Sequence, residues 1–261
     1  MNTIVCVKAI YSPERITVDK RTGKVVLRGL PTILNPPDRV AVEAALRLRD
    51  AHGGKVSTIT MGRTEAEDPL REALAMGVDE AYLLCDEAFG DEPHTTATLL
   101  SYAIRKMGAF DLILCGARSL DGNNAQVGPQ LGELLDLPVV AEVGDVRLEE
   151  GRLMAEERLG NNARVVKTPL PALATLCEDA YKPRYPSTWG IYEAYHLKTV
   201  TWWSRKDLDI TEELEAEGPP VQTRRVFPPE LEERRQEILR DPPAEAAREL
   251  ARRILRLGRD G

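Results

Sequence analysis

The sequence predicts an α/β protein: a parallel-sheet domain with a small antiparallel extension and an extended C-terminal arm. Three observations predict it. Apolar runs of strand length alternate with amphipathic stretches of helix length up to Leu135. After Pro138 the pattern turns to short β segments joined by tight turns. From Asp207 the chain is charged and punctuated by prolines, with too little apolar material for a core of its own.

The first element is Ile4-Val5-Cys6-Val7-Lys8-Ala9-Ile10, a run so apolar that it needs cover on both faces and belongs at the centre of a sheet. Ile16-Thr17-Val18 and Val25-Val26-Leu27 flank Thr22-Gly23 and read as a hairpin standing off that sheet. Asn35-Pro36-Pro37-Asp38 opens a helix, with Asn as cap, Pro at the first helical position and an acid in the first turn. Val40, Ala41, Ala44, Ala45 and Leu48 form its apolar stripe, and Gly53-Gly54 ends it. Strands at 55–60, 81–84 and 111–115 then alternate with helices at 69–76 and 94–107. Val127, Leu131, Leu134 and Leu135 have helical spacing. Beyond Pro138, segments at 143–148, 152–157, 163–167 and 172–176 suggest an antiparallel extension. Residues 178–189 read as irregular, since Pro183 and Pro186 break a helix. The arm holds one clear helix, with Ala247, Leu250, Ala251, Ile254 and Leu257 on one face and Gly258 after it. Its turns are marked by Gly218-Pro219-Pro220, Pro228-Pro229 and Asp241-Pro242-Pro243. The expected division is residues 1–205 and 206–261. Composition favours the arm packing back on its own domain.

The balance of charge narrows the function. A net charge of -7 argues against a nucleic-acid binder that works through a basic surface. No apolar run reaches the roughly 20 residues of a membrane span, and the N-terminus enters a strand without a visible signal peptide. Four scattered cysteines and three histidines suit reduced thiols in the cytoplasm better than a disulfide framework or a metal site.

The stretch 111–129 carries the chemistry. A strand ends at Gly116, and a loop of small and polar residues feeds a helix, which is the geometry that collects phosphates on backbone N–H groups and a helix N-terminus. Asp121, Asn123, Asn124 and Gln126 are placed to add donors or cap the helix. An ordinary βα turn is equally well supported by spacing, because the loop matches neither the dinucleotide fingerprint nor the P-loop. Ligands in such sheets gather at the carboxyl ends of strands near the switch point, here the ends after Cys6, at Met61-Gly62 and from Gly116, with Asn35 closing the crevice. Ser119 lacks a nucleophile elbow, Glu156-Glu157 point to opposite faces of a strand, and Cys6 and Cys115 read as small core residues. Trp202-Trp203 reads as a protein contact or as half-buried packing, and Arg234-Arg235 as a solvated face. No catalytic side chains stand out.

Val5-Cys6-Val7-Lys8, Leu34-Asn35-Pro36-Pro37-Asp38, Ala73-Leu74-Ala75-Met76-Gly77-Val78-Asp79, Leu114-Cys115-Gly116, the loop Asp121–Pro129 and Pro183-Arg184-Tyr185-Pro186-Ser187 occur in an order that resembles the beta subunit of electron-transfer flavoproteins. The likeness runs from residue 2 to about 200 and more loosely through the arm. It implies a Rossmann-like, adenine-nucleotide-hydrolase-like domain and a heterodimer with a larger alpha subunit that holds an FAD, which the beta subunit partly covers. It implies a second adenine nucleotide at Cys6, Asn35, Asp38, Met61, Gly116, Arg118, Ser119, Leu120, Asp121, Gly122, Asn123, Asn124, Ala125, Gln126 and Val127, the crevice reached above.

One branch of that family holds AMP there, and another a second FAD that splits electron pairs from NADH. Ala125–Pro129 resembles the second branch and favours FAD, although Asn123-Asn124 stand where Asp-Thr is usual. The segment 183–196 resembles the family's partner-recognition loop, with Tyr185, Thr188 and Trp189 at its tip. The implied partners are the alpha subunit, acyl-CoA-type or other dehydrogenases and a quinone oxidoreductase, without nucleic acid or membrane insertion. The arm matches the part that wraps the alpha subunit, which replaces back-packing as the expectation. The rivals are a stand-alone ATP- or AMP-binding sensor of universal-stress-protein type, which the long arm opposes, and an ATP-using ligase or pyrophosphatase. The latter would want a serine- and glycine-rich loop where Ala9-Ile10-Tyr11-Ser12-Pro13 stands.

Overall fold

The apolar N-terminal run becomes β1 (Asn2–Cys6), deep inside a nine-stranded sheet. On one side it pairs in parallel with β6 (Lys55–Met61), followed by β7 (Glu80–Leu84) and the edge strand β13 (Val200–Trp203). On the other it pairs in parallel with β8 (Leu112–Gly116), then β12 (Ala172–Leu176), then β9 (Val139–Glu149). The antiparallel strands β10 (Arg152–Leu159) and β11 (Asn162–Thr168) complete that side. The computed structural model describes all residues except 20, 22–24, 27, 28, 211–236, 241 and 258–261.

Both faces of the parallel strands are covered, which explains their unbroken apolar runs. Helices α1 (Pro36–His52) and α2 (Glu67–Met76) bury Val40, Ala44, Leu70 and Leu74 against Val5, Val56 and Leu114. Helices α3 (Pro93–Met107) and α4 (Val127–Leu134) bury Leu100, Ile104 and Leu131 against Ile4, Cys6, Ile113 and Cys115. The alternation of Val5 and Cys6 between these two cores is the period-two geometry of a strand. Gly77 ends α2 in the left-handed conformation (φ 117°) that a glycine adopts at low cost. Helix α4 lies unusually close to the sheet. A Cβ on Gly128 would stand 2.6 Å from Thr175 Cγ2, and one on Gly132 would stand 2.1 Å from Val139 Cγ2.

The structure departs from the sequence reading at three places. The first strand stops at Cys6, and Ala9–Tyr11 (β2) pairs antiparallel with Thr32–Leu34 (β5) in a separate ribbon, because the Lys8 N–H turns away to the Asp38 carboxylate. The hairpin stands off the sheet as expected, β3 (Thr17–Val18) against β4 (Val25–Val26), while its turn at Thr22-Gly23 lies outside the described residues. Strand β12 is parallel to both its neighbours, so the antiparallel extension is confined to β9, β10 and β11. Residues 178–187 are irregular, but Thr188–His196 is a helix, α5, capped by Ser187, whose hydroxyl accepts the Gly190 N–H at 2.9 Å. Helix α5 rests on α2 through Gly190, where a Cβ would meet the Ala75 carbonyl at 2.4 Å. Arg71 donates to the carbonyls of Ala194 and Lys198 at its far end.

The chain divides into two units, residues 1–221 and 222–261. Leu208 is buried and Ile210 packs with the α3 and α4 core, so the first unit continues past residue 206. In the second unit α6 (Pro243–Leu257) carries ion pairs from Arg252 and Arg253 to Glu249 on its polar side, with Leu250 and Ile254 exposed. The Gly218-Pro219-Pro220, Pro228-Pro229, Arg234-Arg235 and Gly258 readings lie outside the described residues. Among the described residues no helix is long and apolar enough to cross a membrane.

Candidate functional site

At the carboxyl ends of β1, β6 and β8 lies a cavity of about 300 Å³. The strand order reverses beside β1, since the chain proceeds to β6 on one side and β8 on the other, and a crevice at that switch point follows from the topology. Helices α3, through Pro93, Thr96 and Leu100, and α4, through Val127 and Gly128, form its walls.

Two side chains from the start of α1 build the rim. Asp38 is buried and accepts the Lys8 N–H at 2.7 Å and the Gly116 N–H at 2.9 Å, tying the ends of β1 and β8 together. Burial pushes its carboxyl up to about 7, opposed by those two N–H groups and by Asn35. Gly116 is required here for a packing reason: a Cβ would meet Asp38 Oδ1 at 2.3 Å and Pro37 Cβ at 2.7 Å. Asn35 begins the helix without capping it by its side chain. Its amide instead donates to the Arg118 carbonyl at 3.0 Å and accepts the Leu120 N–H at 3.1 Å. Asn35, only 1% exposed, therefore shapes the loop and spends its polar atoms on it.

The loop from Gly116 to Gln126 is fastened at its tip as well. Lys8 Nζ pairs with the Asp121 carboxylate at 2.8 Å. Burial raises Asp121, but the Lys8 ammonium and the Ser119 hydroxyl outweigh it and hold the carboxyl below its usual range. Arg118 pairs with Glu142 of β9. Asn123 (φ 50°) and Ala125 (φ 53°) are held in the left-handed region, costly for alanine and a mark of a conformation over-determined by its surroundings. The loop delivers the chain to α4, whose first-turn N–H groups have no intrahelical acceptor and carry the positive end of the helix dipole. Gln126 adds no side-chain cap.

Of the residues expected at this site, Cys6, Asn35, Asp38, Met61, Gly116, Arg118, Ser119, Asp121, Asn124, Ala125, Gln126 and Val127 line the cavity. Leu120, Gly122 and Asn123 do not, because the loop turns them outward; Leu120 is 44% exposed. Sequence reasoning missed Lys8, Asp91, Thr96 and Leu100. A signal existed for Lys8, one residue beyond an apolar run that ends at the crevice. None existed for the α3 residues, which arrive from the opposite wall.

Tyr185, Thr188 and Trp189 lie apart from the cavity and are all exposed. Trp189 stacks on Tyr192 at 5.4 Å, and Tyr192 meets His196 at 4.8 Å, giving an aromatic ladder along α5. The segment before it is anchored by Arg184, which donates to the buried Glu43 of α1 from its backbone N–H at 3.0 Å and from Nε at 2.8 Å. Burial raises Glu43, but Arg184 and Arg47 together pull its carboxyl below the usual range. Trp203 packs on Tyr82 at 4.8 Å, whereas Trp202 is exposed. Among the described residues no group of three or more His, Cys, Asp or Glu is placed to hold a metal.

Comparison with known proteins agrees with this architecture. The model of the electron transfer flavoprotein domain matches residues 22–200. The chain is 40% identical over 256 residues to the electron transfer flavoprotein subunit beta of Thermoanaerobacterium thermosaccharolyticum, covering 97% of this chain and 98% of that one. It is 38% identical over 232 residues to the caffeyl-CoA reductase-Etf complex subunit CarD of Acetobacterium woodii, covering 88% of each. It is 37% identical over 239 residues to protein FixA of Azorhizobium caulinodans, covering 88% of this chain and 85% of that one. The chain belongs to the electron transfer flavoprotein family, as a beta subunit.

Proposed function

We propose that this chain pairs with a larger alpha subunit, partly covers that subunit's FAD, and holds an adenosine phosphate in its own crevice, as AMP or as the adenosine end of a second FAD. The observation that carries the reading is the cavity at the sheet's switch point, closed by a loop that ends at the N-terminus of α4. The residues fit such a group. Free N–H groups at the start of α4 would receive phosphate, Lys8 and Arg118, paired with Asp121 and Glu142, would supply side-chain donors at the rim, and Met61 and Leu100 supply apolar wall for a base. A bound flavin would supply the redox chemistry. The chain's own residues orient and shield: Asn35 and Asp38 fix the loop, and α3 and α4 exclude water from the floor. Electrons would pass between acyl-CoA-type or other dehydrogenases and a quinone oxidoreductase, with Tyr185, Thr188 and Trp189 on the docking surface. The exposed aromatic ladder supports that placement, and a cytoplasmic location fits the four free thiols.

The test is to co-express the chain with its alpha partner, denature the purified complex, and quantify FAD and AMP. Two FAD per heterodimer and no AMP assigns the crevice to a second flavin, which makes NADH-linked electron bifurcation the mechanism to pursue. One of each assigns a structural AMP. No flavin, with a homodimer that retains ATP, overturns the proposal in favour of a nucleotide sensor.

A further inference from the structure

Cys6 and Cys115 occupy partner positions on the adjacent parallel strands β1 and β8. Residues paired this way point to the same face, and both side chains belong to the core beneath α3 and α4. Adjacent strands lie about 4.8 Å apart, within the roughly 4.4–6.8 Å that a disulfide spans between Cα atoms. Both thiols are free, and each is less than a tenth exposed. Both also line the cavity, so a small solute entering it reaches them directly. The other two cysteines, Cys85 and Cys177, lie outside this cavity lining.

We infer that Cys6 and Cys115 form a dithiol site in the floor of the crevice that a peroxide closes to an intramolecular disulfide. The balance is complete with hydrogen peroxide as oxidant. The sulfur of one cysteine attacks the peroxide, the O–O bond breaks, and a sulfenic acid forms with release of water. The second sulfur displaces the sulfenic hydroxyl, the S–S bond forms, and a second water leaves with the remaining thiol proton. Two electrons pass from the sulfurs to the peroxide. Contact with the Cys6 thiol, burial and the nearby Asp38 carboxyl push Cys115 well above the usual thiol range, which disfavours its thiolate and slows its oxidation. Closure replaces two thiols in the floor by one disulfide, so the oxidised crevice offers a different surface to a ligand. That last consequence rests on the nucleotide reading above, whereas the disulfide itself does not.

The full-length chain, with no nucleotide added, is treated with hydrogen peroxide, alkylated and examined by intact mass and peptide mapping. The expected result is loss of two hydrogens and one cross-linked peptide joining Cys6 to Cys115, reversed by dithiothreitol. Cys6→Ser and Cys115→Ser should each abolish the cross-link, and the double variant Cys85→Ser/Cys177→Ser should retain it. Independent oxidation of the two cysteines to sulfinic acids, or both remaining alkylatable, overturns the inference. A repeat with AMP separates the two readings: slower closure supports a nucleotide in the crevice, and closure at an unchanged rate counts against that nucleotide while leaving the dithiol intact.

Discussion

Gly116→Ala is the substitution that most directly tests how the crevice is built. The added Cβ would lie 2.3 Å from Asp38 Oδ1, 2.7 Å from Pro37 Cβ and 2.8 Å from the Asp38 nitrogen. Two of those atoms belong to the rigid start of α1, so relief requires either α1 or the end of β8 to move. Overpacking of this kind costs about 1–3 kcal/mol. The move also breaks the Gly116 N–H bond to Asp38, a charge-assisted bond worth about 1.5–3 kcal/mol when the carboxyl is ionised. These overlap, and a loss of about 3 kcal/mol is expected, equivalent to a fall of roughly 6–12 °C in Tm for a domain of this size. Urea titration followed by circular dichroism measures it. Gly122→Ala is the internal control. It sits in the same loop with a φ outside the positive range, and its Cβ would meet nothing closer than 3.5 Å. It should change stability by no more than about 0.5 kcal/mol. Equal costs at the two glycines would refute the packing argument.

Four further outcomes are expected. Asn35→Ala leaves the Arg118 carbonyl and the Leu120 N–H without their partner, costing about 2–3 kcal/mol, and under the proposed nucleotide role it should weaken AMP roughly tenfold by calorimetry. Asp38 makes a distinctive contribution to pH dependence: its carboxyl is higher in the folded chain, about 7 against 3.8, so the folded state holds the extra proton between those values. Its contribution is then greatest below pH 4, declines as pH rises, and is lost above 7, a change of as much as about 4 kcal/mol. Comparison of denaturation midpoints with Asp38→Asn from pH 4 to 8 should isolate that slope, and parallel profiles would exclude it. Arg184→Ala leaves the buried Glu43 with Arg47 alone and should cost about 3 kcal/mol in the same urea assay. Trp189→Ala, at a side chain 62% exposed, should leave stability within about 0.5 kcal/mol while lengthening the time for reduction of the complex by a partner dehydrogenase in stopped flow.

The periodic parts of this fold were legible in the sequence. The apolar runs of β1, β6 and β8 and the stripes of α1 and α3 each answer to one strong signal, burial against a sheet. Pairing direction was less legible. Ala172–Leu176 looks the same whether its neighbour runs parallel or antiparallel, and only the chain's return path places it beside β8. Helix α5 was hidden because its buried side consists of Gly190 and Ala194, which leave no apolar stripe to count. A cavity assembled from separate loops stands where the sequence places a crevice, yet the roles of the residues around it were not legible. Asn35 has the sequence signature of a helix cap, but a competing pair of loop backbone groups lies within its reach, and tertiary contact overrides the local rule. The apolar run carries Lys8 into the first strand, although its backbone bond to Asp38 is what ends that strand.

The seating of α5 has a consequence for how such a chain diversifies. A helix that commits only a glycine and an alanine to the interior, and is held at its ends by Ser187 and Arg71, places almost no packing demand on its outward residues. Substitutions at 189, 192, 195 and 196 can therefore be exchanged as a block, with folding left untouched. Selection on what this protein touches is thereby separated from selection on whether it folds, and the outward face of α5 is a cassette that one lineage can rewrite while its neighbour keeps the same core.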